Sequence, residues 1–307
     1  MRIYSILLCW LLSASLIAGP AFNRLIVFGD SLSDNGNLYE YMRHQVPQSP
    51  PYFEGRFSNG PAWVELLSEK YAPEKVSDFL LDYAFGGAGV YEGEDDDGMF
   101  TLKNEISMYL SAHNNAADPD SLYVIWIGAN NYLAIPEDTD AAVSEVTEGI
   151  RHGIQRLIDS GAKQFLVLNI PDLGTTPIAS EFGEVEKMHR YSSQHNQRLL
   201  QVIDELRQSY ADLNWYFYDV EQMLNKAIEN PENYGLTNIK DTCYEAMVDK
   251  GSQQTVLHMA RTLLSDGDQS ACDGYLFFDP VHPTETAHTI LADEIYKLLE
   301  SSTDRLG

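Results

Sequence analysis

The sequence predicts an α/β fold: one domain built on a three-layer, doubly wound parallel sheet of five strands. Three observations predict it. Short apolar runs rich in β-branched and aromatic residues alternate with longer amphipathic stretches. The runs are apolar almost throughout rather than at every second residue, as expected when both faces of a parallel sheet are covered. And they are followed by Gly, Asp, Ser and Asn, the residue types of loops that hold ligands outside the carboxyl ends of such strands.

In chain order, the strands are Leu25–Phe28, Asp82–Phe85, Leu122–Ile127, Phe165–Asn169 and Asn214–Tyr218. Helical periodicity covers Ala62–Tyr71, Thr139–Ser160, Glu184–Tyr210 and Thr284–Glu300. Thr139 or Asp140 is placed to cap the second of these, and Gly161 stands where a left-handed residue ends a helix. No internal repeat, low-complexity tract or Pro/Gly-rich linker divides the chain, so residues 22–307 read as a single domain.

Residues 1–21 read as a secretory signal peptide. Arg2 supplies the positive start, Ile3–Ile17 the apolar stretch, and Gly19-Pro20-Ala21 the small residues before a cut ahead of Phe22. The apolar stretch is short for a membrane span. The expected location is therefore secreted or periplasmic. Removal leaves two of the three cysteines, Cys243 and Cys272, and two cysteines in an exported chain are expected to pair. Such a closure contributes roughly 3–4 kcal/mol by chain-entropy reasoning.

The 307 residues carry 46 Asp plus Glu against 20 Lys plus Arg, a formal net charge of −26. With 44% hydrophobic residues, a packed core is affordable in apolar material and wholesale disorder is excluded. A surface this acidic, with no basic stripe, repels nucleic acid and anionic lipid alike. Neutral or zwitterionic substrates remain.

The loops after the strands carry the chemistry. Gly29-Asp30-Ser31-Leu32 follows the first, Gly86-Gly87-Ala88-Gly89 the second, and Gly128-Ala129-Asn130-Asn131 the third. Asp279-Pro280-Val281-His282 precedes the last helix. A Ser at a strand end presents its hydroxyl at the sheet edge. A glycine lets backbone N–H approach a ligand, and the Asn130 amide donates to a developing oxyanion without a change of protonation. Asp279 and His282, three apart, place a carboxylate where it fixes the imidazole, which then serves as base toward Ser31. Each element alone has a plainer reading: a helix cap, a turn, a loop amide, a chance Asp-x-x-His.

Taken in order, these segments resemble the GDSL, or SGNH, hydrolases. Phe28-Gly29-Asp30-Ser31-Leu32-Ser33-Asp34-Asn35-Gly36-Asn37 is similar to the first family block, Tyr83–Ala88 to the second, Gly128–Asn131 to the third and Asp279–His282 to the last. Gly55–Val64, Asn169–Pro177 and His195–Leu199 resemble the plant-lipase and haemolysin-like bacterial branch. The resemblance implies a flavodoxin-like fold and a serine esterase. It makes Ser31 the nucleophile and Asp279 and His282 its partners, with the Ser31 amide, the Gly86 amide and the Asn130 side chain forming the oxyanion hole. Gly87 replaces Gly86 if the second block is shifted by one. No metal or organic cofactor is needed. Asn131 stands where the family usually has Asp.

The branch implies a lipid ester, and a lysophospholipid first, because a single-chain lipid needs no membrane-penetrating anchor. The alternatives are a phospholipase that transfers acyl groups to a sterol, an O-deacetylase of carbohydrate, and a non-catalytic binding protein on the same fold. The segment between Cys243 and Cys272 ends shortly before Asp279. Gln254–Leu264 within it has the pattern of a short lid helix, and a cut there leaves the halves tethered, which makes an activating protease a candidate partner. A stapled surface loop is the plainer alternative. The Gly55–Gly60 segment has its Ser one place too late for a nucleophile elbow. Glu92–Asp97 lacks the spacing of a calcium loop. His288 reads as packing, and His44, His113 and His258 have no partner in the pattern.

Overall fold

A computed structural model describes residues 22–91, 100–244 and 269–303. The expected signal peptide, Glu92–Asp97 and Gln254–Leu264 lie outside the described residues.

Five strands form one parallel sheet: β1 (Leu25–Gly29), β2 (Leu80–Asp82), β3 (Leu122–Trp126), β4 (Gln164–Leu168) and β5 (Asn214–Tyr218), in the order β2-β1-β3-β4-β5. Every residue of β1, β3 and β4 is buried, which is why these strands read as unbroken apolar runs. Alternate residues feed opposite faces. Ile26, Phe28, Tyr123, Ile125, Phe165 and Val167 pack in one core cluster, and Leu25, Val27, Leu122, Val124, Leu166 and Leu168 in the other. This is the predicted three-layer architecture.

The first cluster is covered by α4 (Leu102–Ala112), α6 (Thr139–Asp159) and α8 (Val185–Ser209), the second by α2 (Trp63–Tyr71), α9 (Val220–Glu229) and α10 (Glu285–Thr303). Short helical turns α1 (Asn37–Tyr41), α3 (Val76–Phe79), α5 (Ala129–Leu133) and α7 (Pro177–Phe182) fill the connections. Trp63 at the start of α2 is fully buried, a contribution of roughly 3 kcal/mol that anchors the preceding Gly-Arg-Phe-Ser-Asn-Gly segment to the sheet. A second, two-stranded parallel sheet joins β6 (Asn238–Thr242) to β7 (Tyr275–Phe277), and the Cys243–Cys272 disulfide is formed beside it.

Two expectations shift. The second strand is Leu80–Asp82 rather than Asp82–Phe85, because residues 80–82 are those in register with β1. Beyond it the chain still runs along β1, with Tyr83 N–H donating to Val27 O at 2.8 Å and Phe85 N–H to Gly29 O at 3.2 Å. The cap of α6 is Asp138, not Thr139 or Asp140. Its carboxylate accepts from Ala141 N–H at 3.0 Å, two to three residues ahead as a cap requires.

Candidate active site

The strand order reverses between β1 and β3, which leaves a crevice outside their carboxyl ends. Ser31 follows β1 and Asn130 follows β3 at that point. After Gly29, Asp30 turns the chain. Its carbonyl accepts from Ser33 N–H (2.9 Å) and Asp34 N–H (3.0 Å), while its carboxylate accepts from Leu32 N–H (3.1 Å). The amides of Leu32, Ser33 and Asp34 are thereby engaged, whereas that of Ser31 has no partner among the described residues.

Asp34 does the second half of the folding here. Its carboxylate accepts from Gly36 N–H (2.8 Å), Asn37 N–H (2.6 Å), Leu38 N–H (3.2 Å) and Gly86 N–H (2.7 Å). One side chain thus organises the nucleophile turn and pins the loop after β2 to it. The bond occupies the N–H of Gly86, the expected oxyanion donor. The Gly86 amide is committed to Asp34, and a side chain at Gly86 would strike the Phe57 ring at 2.2 Å. Gly87 is the neighbour whose N–H has no partner among the described residues. It adopts φ +80° with open space where a side chain would stand. Asn130 is steered by one hydrogen of its amide, which donates to Ala88 O at 2.9 Å, so the other is free for a ligand.

Asn131 explains its own departure from the family pattern. Its Oδ1 accepts from Val90 N–H (2.9 Å) and its Nδ2 donates to Tyr91 O (3.0 Å). A carboxylate could make the first bond and not the second.

The turn before α10 is equally determined. Phe278 N–H donates to His282 O at 2.8 Å, and Asp279 Oδ1 accepts from the N–H groups of Val281 (2.8 Å) and His282 (2.7 Å). Ser58 Oγ donates to Pro283 O at 2.9 Å, and Asn59 Oδ1 accepts from Glu285 N–H at 2.9 Å. The Gly-Arg-Phe-Ser-Asn-Gly segment therefore clamps the turn to the first turn of α10. His282 Nδ1 then meets Asp279 Oδ2 at 2.7 Å, and His282 Nε2 meets Ser31 Oγ at 2.8 Å. An ionised carboxylate only accepts, so the proton sits on Nδ1 and Nε2 is left to accept from the Ser31 hydroxyl.

Burial opposes ionisation of Asp279, yet the adjacent His282 ring and the hydrogen bonds it receives hold its pKa below the ordinary carboxyl value. Asp30 goes the other way: burial raises it to about 6, against the Leu32 N–H and the nearby His282. His288 is buried in α10 with its Nδ1 accepting from Trp63 N–H at 3.2 Å, and burial depresses its pKa to about 3, as a packing role requires. His44 pairs with Glu40 and His113 with the Tyr109 carbonyl.

The structure thus brings Ser31, His282 and Asp279 into one hydrogen-bonded line and sets Ser31 and Asn130 on the same cavity. Tyr52, one of the aromatics near the first two blocks that read as an acyl channel, a headgroup cage or core, stands beside this line instead; its hydroxyl donates to Asp279 Oδ2 at 2.7 Å. Among the described residues no group of three or more His, Cys, Asp or Glu side chains is gathered as a metal site, and no helix is long and apolar enough to cross a membrane.

Known proteins are similar to nearly the whole chain. The phosphatidylcholine-sterol acyltransferase of Aeromonas hydrophila is 30% identical over 94% of this chain and 93% of its own length. The thermolabile hemolysin of Vibrio parahaemolyticus is 27% identical over 92% of this chain and 64% of its own length, so the chain spans less than two thirds of that longer relative. Among solved structures, a carbohydrate acetylesterase from Sinorhizobium meliloti shares the fold with a TM-score of 0.50 at 13% identity, over 91% of this chain and 99% of that one. Residues 25–295 match the GDSL-like lipase/acylhydrolase family, and with that extent of agreement the chain belongs to this family of carboxylic ester hydrolases.

Proposed function

We propose that the protein is an exported lysophospholipase A, which releases the fatty acid of a single-chain phospholipid through an acyl-enzyme on Ser31. One observation carries the choice of substrate. A cavity of about 70 Å³ is lined by Ser31 and Asn130 together with Leu133, Met223, Leu224 and Leu276. Each methylene buried in such a site contributes about 0.8 kcal/mol, so an acyl chain gains several kcal/mol that an acetyl group cannot. The net charge of −26 favours a zwitterionic headgroup over an anionic bilayer.

In this mechanism His282 Nε2 takes the Ser31 proton as Oγ attacks the acyl carbonyl. The Ser31 N–H, the Gly87 N–H and the free Asn130 hydrogen receive the oxyanion. His282 then protonates the departing glycerol oxygen, and a water activated by the same ring releases the fatty acid. Residues 1–21 act as the export signal ahead of a single domain, 22–307. A second reading has specific support: a sterol or other alcohol replaces the water, because a relative 30% identical along its length is named for that transfer.

The test is a release assay with lysophosphatidylcholine, diacyl phosphatidylcholine, a short-acyl nitrophenyl ester and an acetylated xylo-oligosaccharide, each with and without sterol. Lysophosphatidylcholine is expected to give the highest kcat/KM; faster turnover of the acetylated sugar overturns the proposal. Leu224→Trp, which fills the cavity, is expected to cut long-chain release about tenfold or more while leaving the short-acyl ester within about twofold.

A further inference from the structure

Asp279 has four acceptor positions, and three are filled from its own turn: Val281 N–H and His282 N–H on Oδ1, His282 Nδ1 on Oδ2. The fourth is filled from 227 residues away by the Tyr52 hydroxyl, at the same 2.7 Å from Oδ2 as the imidazole. The tyrosine is not a chance neighbour. Its ring stands edge-on to Phe278, with centroids 5.0 Å apart, and packs against Phe57 at 6.1 Å and Tyr244 at 5.7 Å. Phe57 in turn lies over the His282 ring at 5.1 Å. Burial, and then the charge and hydrogen bond of Asp279, push the phenol further above its ordinary pKa, so it stays a donor at every pH the enzyme meets.

Resting on the reading of Ser31, His282 and Asp279 given above, we infer that Tyr52 is a positioning residue of the reaction, whose hydroxyl holds the Asp279 carboxylate in the plane that serves His282 and withdraws part of its charge. A carboxylate that accepts a bond from a neutral phenol is a weaker partner for an imidazolium than one without it. The ring that must first take the Ser31 proton and then give it up is thereby kept from holding it too firmly. Of the other titratable groups near the pair among the described residues, Asp30 interacts with His282 through its charge, His288 is held neutral by burial, and Tyr244 faces the Tyr52 phenol; none hydrogen-bonds Asp279.

The readout is the rate of inactivation by a fluorophosphonate as a function of pH, which needs no knowledge of the natural ester. Tyr52→Phe keeps the ring and removes only the donor. It is expected to slow inactivation about tenfold at neutral pH and to move the acid limb of the profile upward by about half a unit, because the carboxylate then holds the proton on His282 more firmly. Replacing Tyr52 with 3,5-difluorotyrosine strengthens the donor without changing the fold, and moves the limb the opposite way. Profiles of both variants that superimpose on the wild type overturn the assignment of Tyr52 alone. A wild-type protein that takes no label at Ser31 overturns the reading of the site as well.

Discussion

Two buried carboxylates near Ser31 behave in opposite ways. Asp279 is 5% exposed and is held below its ordinary pKa; Asp34 is 0% exposed and is raised above it. Both are pushed up by burial, and both receive four hydrogen bonds from protein groups. The difference is the donor. Three of the bonds to Asp279 come from neutral groups, but the fourth is His282, which becomes a cation in the reaction. Asp34 has only backbone amides. Amides fix where a carboxylate lies; a titratable ring also decides when it is charged. One turn is built to respond during catalysis, the other to stay still beneath it.

The largest effect follows from breaking the responsive side. Asp279→Asn keeps the shape and removes the charge, and is expected to lower kcat about 10⁴-fold with little change in Tm, measured on any ester the enzyme accepts. Breaking the static side costs stability instead. Asp34→Ala leaves four N–H groups, three of them in buried bonds, without their acceptor and is expected to lower the unfolding free energy by on the order of 3 kcal/mol in urea titrations, with a lower rate because the Gly86-Gly87 loop is released.

The smallest effect sharpens the contrast through pH. Asp30 titrates near 6 in the folded chain against an ordinary 3.8, so its contribution to stability is complete below about 4 and is lost as pH rises through 6. Burial raises Asp34, Asp82 and Glu105 with the same sign. Asp279 acts oppositely, losing its contribution only as pH falls through its depressed value. Urea midpoints are therefore expected to be higher at pH 5 than at pH 7.5. Asp30→Asn is expected to flatten that slope by about 1.4 kcal/mol across the interval, the one pK unit between pH 5 and the folded value of about 6.

Much of this was legible in the sequence for a physical reason. Doubly covered strands advertise themselves as apolar runs, and a nucleophile turn, an amide donor and an Asp-x-x-His each need particular residue types at short spacing. What escaped was set by distant contacts. α4 hides its periodicity because Glu105 is buried on its inner face, where the carboxylate accepts from Gly29 N–H at 2.9 Å. That the Gly86 amide is engaged while that of Gly87 is not rests on the bond Gly86 N–H donates to Asp34, 52 residues earlier. Tyr52 reaches Asp279 across most of the chain, and nothing local to either residue announces the pair. Residues announced by their own type and local spacing, as Ser31 and His282 are, are readable even when the fold must bring them together; those announced only by a distant partner are not.

The disulfide has a consequence for how such an enzyme diversifies. Cys243 and Cys272 hold their Cα atoms 5.1 Å apart immediately outside the paired strands β6 and β7, and Tyr244 N–H donates to Phe278 O at 2.8 Å just inside the catalytic turn. The closure cost of the chain between them is thus met at its root, and lengthening that chain adds only a slowly growing entropic term. Insertions, deletions or wholesale replacement of residues 245–268 can therefore be sampled by evolution without moving Asp279 or His282. The bridge works as a graft junction: what it encloses can be exchanged while the turn that carries Asp279 and His282 is inherited intact.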